Sequence, residues 1–134
     1  MTTIGELPAP IAKFLEAINN RDAEAAGRYC TDDVSYHLLM PLPPVVGRPA
    51  VVAALGAAIS EAERVRWDVV TVLSTDDTAF VERIDRFWFN GNEAAIECTG
   101  VFELRDGRIA AIRDYADKDT WHDRKRSALN PSSE

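Results

Sequence analysis

Residues 66–117 read RWDVVTVLSTDDTAFVERIDRFWFNGNEAAIECTGVFELRDGRIAAIRDYAD, and this stretch decides the fold. Trp67 to Ser74, Ala79 to Phe89, Glu93 to Leu104 and Arg108 to Asp117 carry strand-like patterns rich in β-branched and aromatic residues. Three short polar breaks separate them: Thr75-Asp76-Asp77, Asn90-Gly91-Asn92 and Arg105-Asp106-Gly107. Asn-Gly and Asp-Gly tolerate the positive φ angles that a tight hairpin turn demands. The segment therefore predicts a four-stranded antiparallel meander. One face of such a sheet must be buried, and the upstream chain has to cover it.

Upstream, Ile11, Phe14, Leu15 and Ile18 recur at helical spacing, which predicts a helix from about Ile11 to Asn19. Asp22 is a suitable N-cap for a second helix, Ala23 to about Cys30. Thr31-Asp32-Asp33 reads as a turn before a short strand, Val34 to Leu39. Met40-Pro41-Leu42-Pro43-Pro44 is an apolar loop, because its prolines fix φ and remove backbone donors. After Gly47-Arg48-Pro49, an Ala-rich third helix spans Ala50 to Glu63. These elements predict an α+β cone: a curved, mainly antiparallel sheet wrapped around three N-terminal helices, with an internal apolar pocket. Residues 1–126 form one domain in this reading, and 127–134 a polar tail.

The 134 residues carry a net charge of −7 and 46% hydrophobic side chains. That balance fits one globular domain and disfavours nucleic-acid binding through a basic groove. Cys30 and Cys98 are too far apart in sequence to suggest a redox or zinc motif, which fits a reduced, cytoplasmic setting with no metal and no cofactor. Residues 1–10 lack the basic and apolar regions of a secretory signal. The longest apolar run, Val51 to Ile59, is too short to span a bilayer, so no membrane partner is expected.

Alternate residues of a strand share a face. On the third long strand Ile96, Cys98, Gly100, Phe102 and Leu104 form an apolar set that should face the core. On the fourth, Ala110, Ile112, Asp114 and Ala116 are the inward candidates, and they include one carboxylate. A lone aspartate among Ala and Ile is costly without a partner. Arg83, from Arg83-Ile84-Asp85, is the best-placed candidate to pair with it. Both faces of that second strand mix charged and apolar groups. Periodicity alone leaves open whether Arg83 and Asp85 or Glu82 and Arg86 are buried.

Four segments, taken together, resemble the limonene-1,2-epoxide hydrolase family of the NTF2-like (SnoaL-like) superfamily. They are Met40-Pro41-Leu42-Pro43-Pro44 with Gly47-Arg48, Glu82-Arg83-Ile84-Asp85, Gly100 to Leu104, and Ile112 to Asp117. The resemblance covers about Tyr29 to Trp121 and implies an Asp–Arg–Asp unit formed by Asp85, Arg83 and Asp114. It implies that Asp114 takes a proton from water while Asp85 protonates the opening epoxide, with Arg83 bridging them. One position departs from the family pattern, which holds the water with a Tyr and an Asn two residues apart. The strand here reads Val34-Ser35-Tyr36-His37-Leu38-Leu39, so the Asn position falls on Leu39 or, after a one-residue slip, Leu38. Tyr36 or His37 is then left to hold water with Asp114.

The same resemblance implies a small hydrophobic epoxide as substrate and a homodimer formed through the outer sheet face, where Trp88 and Tyr115 point. Leu39, Met40, Phe87, Ile96, Cys98 and Ile112 are the expected pocket lining. Two other functions fit the scaffold: an isomerase or epoxide-opening cyclase using the same carboxylates, and a ligand carrier without chemistry. The carrier leaves Arg83, Asp85 and Asp114 unexplained.

Overall fold

The computed structural model describes residues 2–4 and 6–131. In chain order the elements are β1 (Thr2–Ile4), α1 (Ala9–Asn19), α2 (Ala23–Gly27), β2 (Cys30–His37), β3 (Val45–Val46) and α3 (Arg48–Ser60). They continue as β4 (Arg64–Ser74), β5 (Thr78–Phe89), β6 (Asn92–Arg105), β7 (Arg108–Tyr115) and α4 (Lys118–Leu129). Among the described residues the strands form one sheet in the order β1-β4-β5-β6-β7-β2-β3. The α+β cone is the observed fold.

The predicted meander is β4 to β7, antiparallel at every step. Its two later turns use the expected chemistry: Asn90-Gly91 and Asp106-Gly107 all take positive φ, between 53° and 83°. Such a turn has the twist that its flanking strands need. Helix α1 lays Ile11, Phe14, Leu15 and Ile18 on the sheet, all of them buried. Its end is pinned to β4 by Asn19, whose Oδ1 accepts from the Trp67 backbone N–H at 2.7 Å. Asp22 caps α2 through a bond from the Ala25 N–H.

Three expectations change. Thr31-Asp32-Asp33 is strand, not turn: β2 starts at Cys30 and runs parallel to β7 through a register shift between Cys30 and Ser35. The acidic side chains that suggested a turn instead reach outward, Asp32 to Arg48 and Asp33 to Arg105. Correspondingly, α2 stops at Gly27 rather than near Cys30.

The second change is at the C-terminal end. Residues from 127 were expected to form a polar tail, yet α4 continues to Leu129 and buries Ala128. Asp117 caps this helix by accepting from the Thr120 backbone N–H at 2.9 Å. The third is in β7, where an irregular register opposite Glu103 and Leu104 turns Ile109 inward instead of Ala110.

On the solvent-facing side of the sheet, Leu73 and Phe80 are cross-strand partners and both are exposed. Trp88 is not a bare apolar surface: the Arg64 and Arg66 guanidinium groups lie 4.5 and 5.7 Å from its ring centroid.

Candidate active site

The odd residues of β5 (Ala79, Val81, Arg83, Asp85, Phe87 and Phe89) are the buried ones. This resolves the ambiguity of that strand. Arg83 stands opposite Cys98 on β6, and Asp114 of β7 stands opposite Gly100. To reach Asp114, the Arg83 side chain must cross β6. Gly100 makes that crossing possible, since a Cβ there would lie 2.6 Å from both Arg83 Nη1 and Asp114 Oδ1.

The guanidinium grips Asp85 with two parallel bonds, Nε to Oδ1 and Nη2 to Oδ2, both 2.9 Å. It reaches Asp114 through Nη1 to Oδ1 at 3.3 Å and Nη2 to Oδ2 at 3.2 Å. Nη2 also contacts the Cys98 sulfur at 3.2 Å. The Trp67 ring covers the guanidinium, its centroid 4.8 Å from Cζ. Relative exposures are 1% for Arg83, 5% for Asp85 and 3% for Asp114, so bulk water does not screen the cluster.

Tyr36 completes it. Parallel pairing sets Tyr36 beside Ile112, and its hydroxyl donates to Asp114 Oδ2 at 2.8 Å. The next residue, His37, points the other way, with Nδ1 3.0 Å from the Leu42 carbonyl. Of the two, Tyr36 is the one placed beside Asp114, because neighbouring strand residues face opposite sides.

The electrostatics favour one proton on the carboxylate pair. Two ionised aspartates with one guanidinium would leave a buried net charge of −1, whereas one proton makes the cluster neutral. Burial pushes the Asp85 carboxyl above the usual range, against the opposing pull of Arg83. Burial also works against the charge of Arg83, but Asp114 and Asp85 outweigh it and hold the guanidinium firmly protonated. Burial, then the Asp114 charge, keeps the Tyr36 phenol protonated, so it serves as a donor. Cys98 is likewise raised by burial first and by Asp114 second, which keeps its thiol protonated.

Asp85, Asp114 and Tyr36 lie at the floor of a cavity of about 270 Å³. Its walls are apolar: Leu55 and Ile59 from α3, Phe87 and Phe89 from β5, Ile96 from β6 and Trp121 from α4. Of the expected lining, Leu39, Phe87, Ile96 and Cys98 take part. Ile112 does not; it is packed within the core on the same face as Asp114. Met40 does not either. Its backbone N–H bonds the Asp114 carbonyl at 2.9 Å, and it lines a separate groove with Pro41 and Leu42. The Met40–Pro41 bond is cis.

Trp67, Leu38, Trp121 and His122 also line the cavity and were not anticipated as site residues. Trp67 faces β5 at Asp85, a pairing that only the strand register shows. Trp121 and His122 sit on α4, whose start an N-cap reading of Asp117 could have signalled. Among the described residues no cluster of His, Cys, Asp or Glu is placed to hold a metal ion.

Residues 11–112 match the SnoaL-like domain. The chain belongs to the SnoaL-like domain family. Several solved structures share this fold. An M. tuberculosis LEH-like epoxide hydrolase is similar at 23% identity, over 90% of this chain and 89% of that one, with a TM-score of 0.73. A putative polyketide cyclase from Xanthomonas campestris is similar at 22% identity, over 84% and 90%, with a TM-score of 0.72. A hypothetical protein of ketosteroid isomerase-like fold from Catenulispora acidiphila, in complex with trimethylamine, reaches 0.77 at 15% identity over 87% and 91%. At these identities the likeness shows a common SnoaL-like fold, and any assignment of chemistry rests on the residues of the site.

Proposed function

We propose that this SnoaL-like protein is a cofactor-independent epoxide hydrolase that adds water to a small apolar epoxide and releases a vicinal diol. The observation that carries this reading is the buried Asp85–Arg83–Asp114 bridge at the floor of an apolar cavity. An ion cluster of this kind is a poor device for stability, since well-packed apolar groups often do as well. It is a good device for acid–base work, because it keeps one carboxyl protonated and its neighbour ionised.

In this mechanism Asp114 is the base. It accepts one proton from a water held in reach of the Tyr36 hydroxyl, and that water's oxygen bonds to an epoxide carbon. The carbon–oxygen bond of the ring breaks, and its electron pair goes to the ring oxygen. Asp85 delivers its proton to that oxygen. Atoms balance as epoxide plus water to diol, with one proton moved from Asp85 to Asp114 overall. That proton must return before the next turnover, and Arg83 keeps the carboxylates close enough to exchange it through water.

The test is diol formation from racemic epoxides in ¹⁸O-labelled water, with Asp85→Asn and Asp114→Asn compared by circular dichroism and by rate. Folded variants without turnover support the reading; unchanged rates in both would sink it. A second reading is favoured by Leu38 and Leu39, the two candidate positions for the amide of the family pattern, both of which line the cavity. There a hydroxyl of the substrate replaces water and closes a cyclic ether. Product without solvent oxygen would select it.

A further inference from the structure

The cavity lining holds two polar groups, one buried and one toward solvent, and only the buried one is used by the proposed chemistry. Its remaining polar lining lies among exposed or half-buried side chains: Glu61 just past α3, and His122 and Lys125 on α4. Exposure marks this second group as the mouth, opposite the buried floor of Asp85, Asp114 and Tyr36. His122 and Lys125 are three apart on α4 and therefore share a helix face.

The polar groups at the mouth are open to solvent or to a ligand. A lysine ammonium has three N–H donors, and a carboxylate offers about four acceptor positions. Lys125 Nζ donates once, to Glu61 Oε1 at 2.7 Å, and rests 5.7 Å from the centre of the Phe89 ring. Its other donors have no partner among the described residues, and neither ring nitrogen of His122 has one. Glu61 accepts only from Lys125 in the cluster.

We infer that the mouth of the cavity is a subsite for a hydroxyl group carried by the substrate at the end remote from its epoxide. This rests on the epoxide-opening reading for the inner end and names the substrate class of the same site. A hydroxyl both donates and accepts, so it meets Lys125 as acceptor and Glu61 as donor, with His122 able to take either role. A carboxylate fits worse. It can only accept, Glu61 stands beside the Lys125 ammonium, and the whole chain carries −7. A wholly apolar substrate would leave the mouth to water. The cavity of about 270 Å³ is at the small end for ligand sites, which limits the spacer to a short chain or single ring.

The subsite can be tested without turnover, because the diol product should occupy both ends. Calorimetry would compare octane-1,2-diol, octane-1,2,8-triol and 7,8-dihydroxyoctanoate as ligands. In the wild-type protein the triol should bind about tenfold tighter than the diol, the lower end for a hydrogen bond to a charged group, because the rim is open to water. The carboxylate should bind no tighter than the triol. Lys125→Met and Glu61→Gln should each bring the triol-to-diol ratio toward one; both sites are on the rim and tolerate change. Equal affinity of wild type for diol and triol overturns the subsite, as does a ratio unmoved by both variants. A carboxylate that outbinds the triol overturns the hydroxyl assignment. Diol formation from 1,2-epoxyoctane judges the epoxide reading separately, so the two can fail independently.

Discussion

The Tyr36 hydroxyl donates a 2.8 Å hydrogen bond to Oδ2 of Asp114, across 78 positions of sequence. Parallel pairing of β2 with β7 produces it, since Tyr36 lies beside Ile112, two residues before Asp114 on the same face. The bond gives Asp114 a second fixed donor at Oδ2, the oxygen that Arg83 Nη2 also reaches at 3.2 Å. A carboxylate in a dry site needs such donors, and here a phenol and a guanidinium supply them.

Tyr36→Phe removes that donor while keeping the ring that packs against Phe14, 6.5 Å away between centroids. Leaving a buried acceptor short of a partner should lower stability by about 1–3 kcal/mol. Turnover should fall roughly 10- to 100-fold, because Asp114 loses its fixed orientation. Denaturant melts and initial rates on one epoxide read both. A variant with wild-type rate would remove Tyr36 from the mechanism.

Asp85 gives the pH dependence its sign. Burial raises its pKa against the pull of Arg83, and the acid role needs the protonated form. kcat/KM should therefore be retained below that raised value and decline as pH climbs through it. The stability sign is the same. The folded state holds this proton more tightly than the unfolded chain, whose aspartates titrate near ~3.9. Stability from this group is greatest below ~3.9 and falls as pH rises to the folded value. Asp85→Asn should flatten that part of the slope in melts from pH 3 to 8. A rate that shows no decline on the alkaline side would contradict the acid role.

Arg83→Met tests what holds the carboxylates together. The guanidinium makes all four of the cluster's Arg–Asp contacts. Without it, two buried carboxyl groups face each other with no cation, and breaking such a cluster costs about 3–5 kcal/mol. Arg83→Met combined with Asp85→Asn and Asp114→Asn should recover much of that loss, since no charge is then left unpaired. Absence of any recovery would show that Arg83 matters mainly for packing.

The legibility of the sequence was uneven for physical reasons. Hairpin dipeptides and alternation fixed β4 to β7 well, because turn chemistry and pleat are local. The inward face of β5 could not be read, since a buried ion cluster puts charge where alternation expects apolar groups. Arg83 and Asp85 looked no more internal than Glu82 and Arg86. Helix α4 was hidden by its polarity: Trp121 and Ala128 are its main inward residues, too few for a stripe. Choosing Tyr36 over His37 needed the β2–β7 register, which depends on a bulge that the acidic run disguised as a turn. Gly100 belonged to the apolar set, but its purpose lies in side chains from two other strands.

Gly100→Ala follows from that last point. The added methyl would sit 2.6 Å from Arg83 Nη1 and Asp114 Oδ1 and 3.1 Å from the Phe102 ring. None of these neighbours can move freely, as Arg83 and Asp114 are buried and bonded. Overpacking should cost about 1–3 kcal/mol, and the Arg83–Asp114 contact should lengthen. The expected signature is a larger loss in kcat than the modest stability change explains. Full activity in Gly100→Ala would mean that the Arg83–Asp114 contact is dispensable.

Leu38→Asn asks whether the nucleophile is water. Leu38 lines the cavity two residues after Tyr36, on the same side of the chain. Asparagine has nearly the same branching, and its amide oxygen can accept from a water whose other proton goes to Asp114. One further hydrogen bond to that water should raise the rate of diol formation about fivefold, the usual worth of a neutral bond. The opposing term is burial of the amide, which should lower stability by about 1 kcal/mol where the second valence stays unmet. If water is the natural nucleophile, diol formation rises and solvent oxygen enters every product. If a substrate hydroxyl is the nucleophile, the added amide diverts a cyclising substrate from ether to diol. A variant in which neither rate nor product ratio moves would place the nucleophile out of reach of residue 38, and Tyr36 alone would have to hold it.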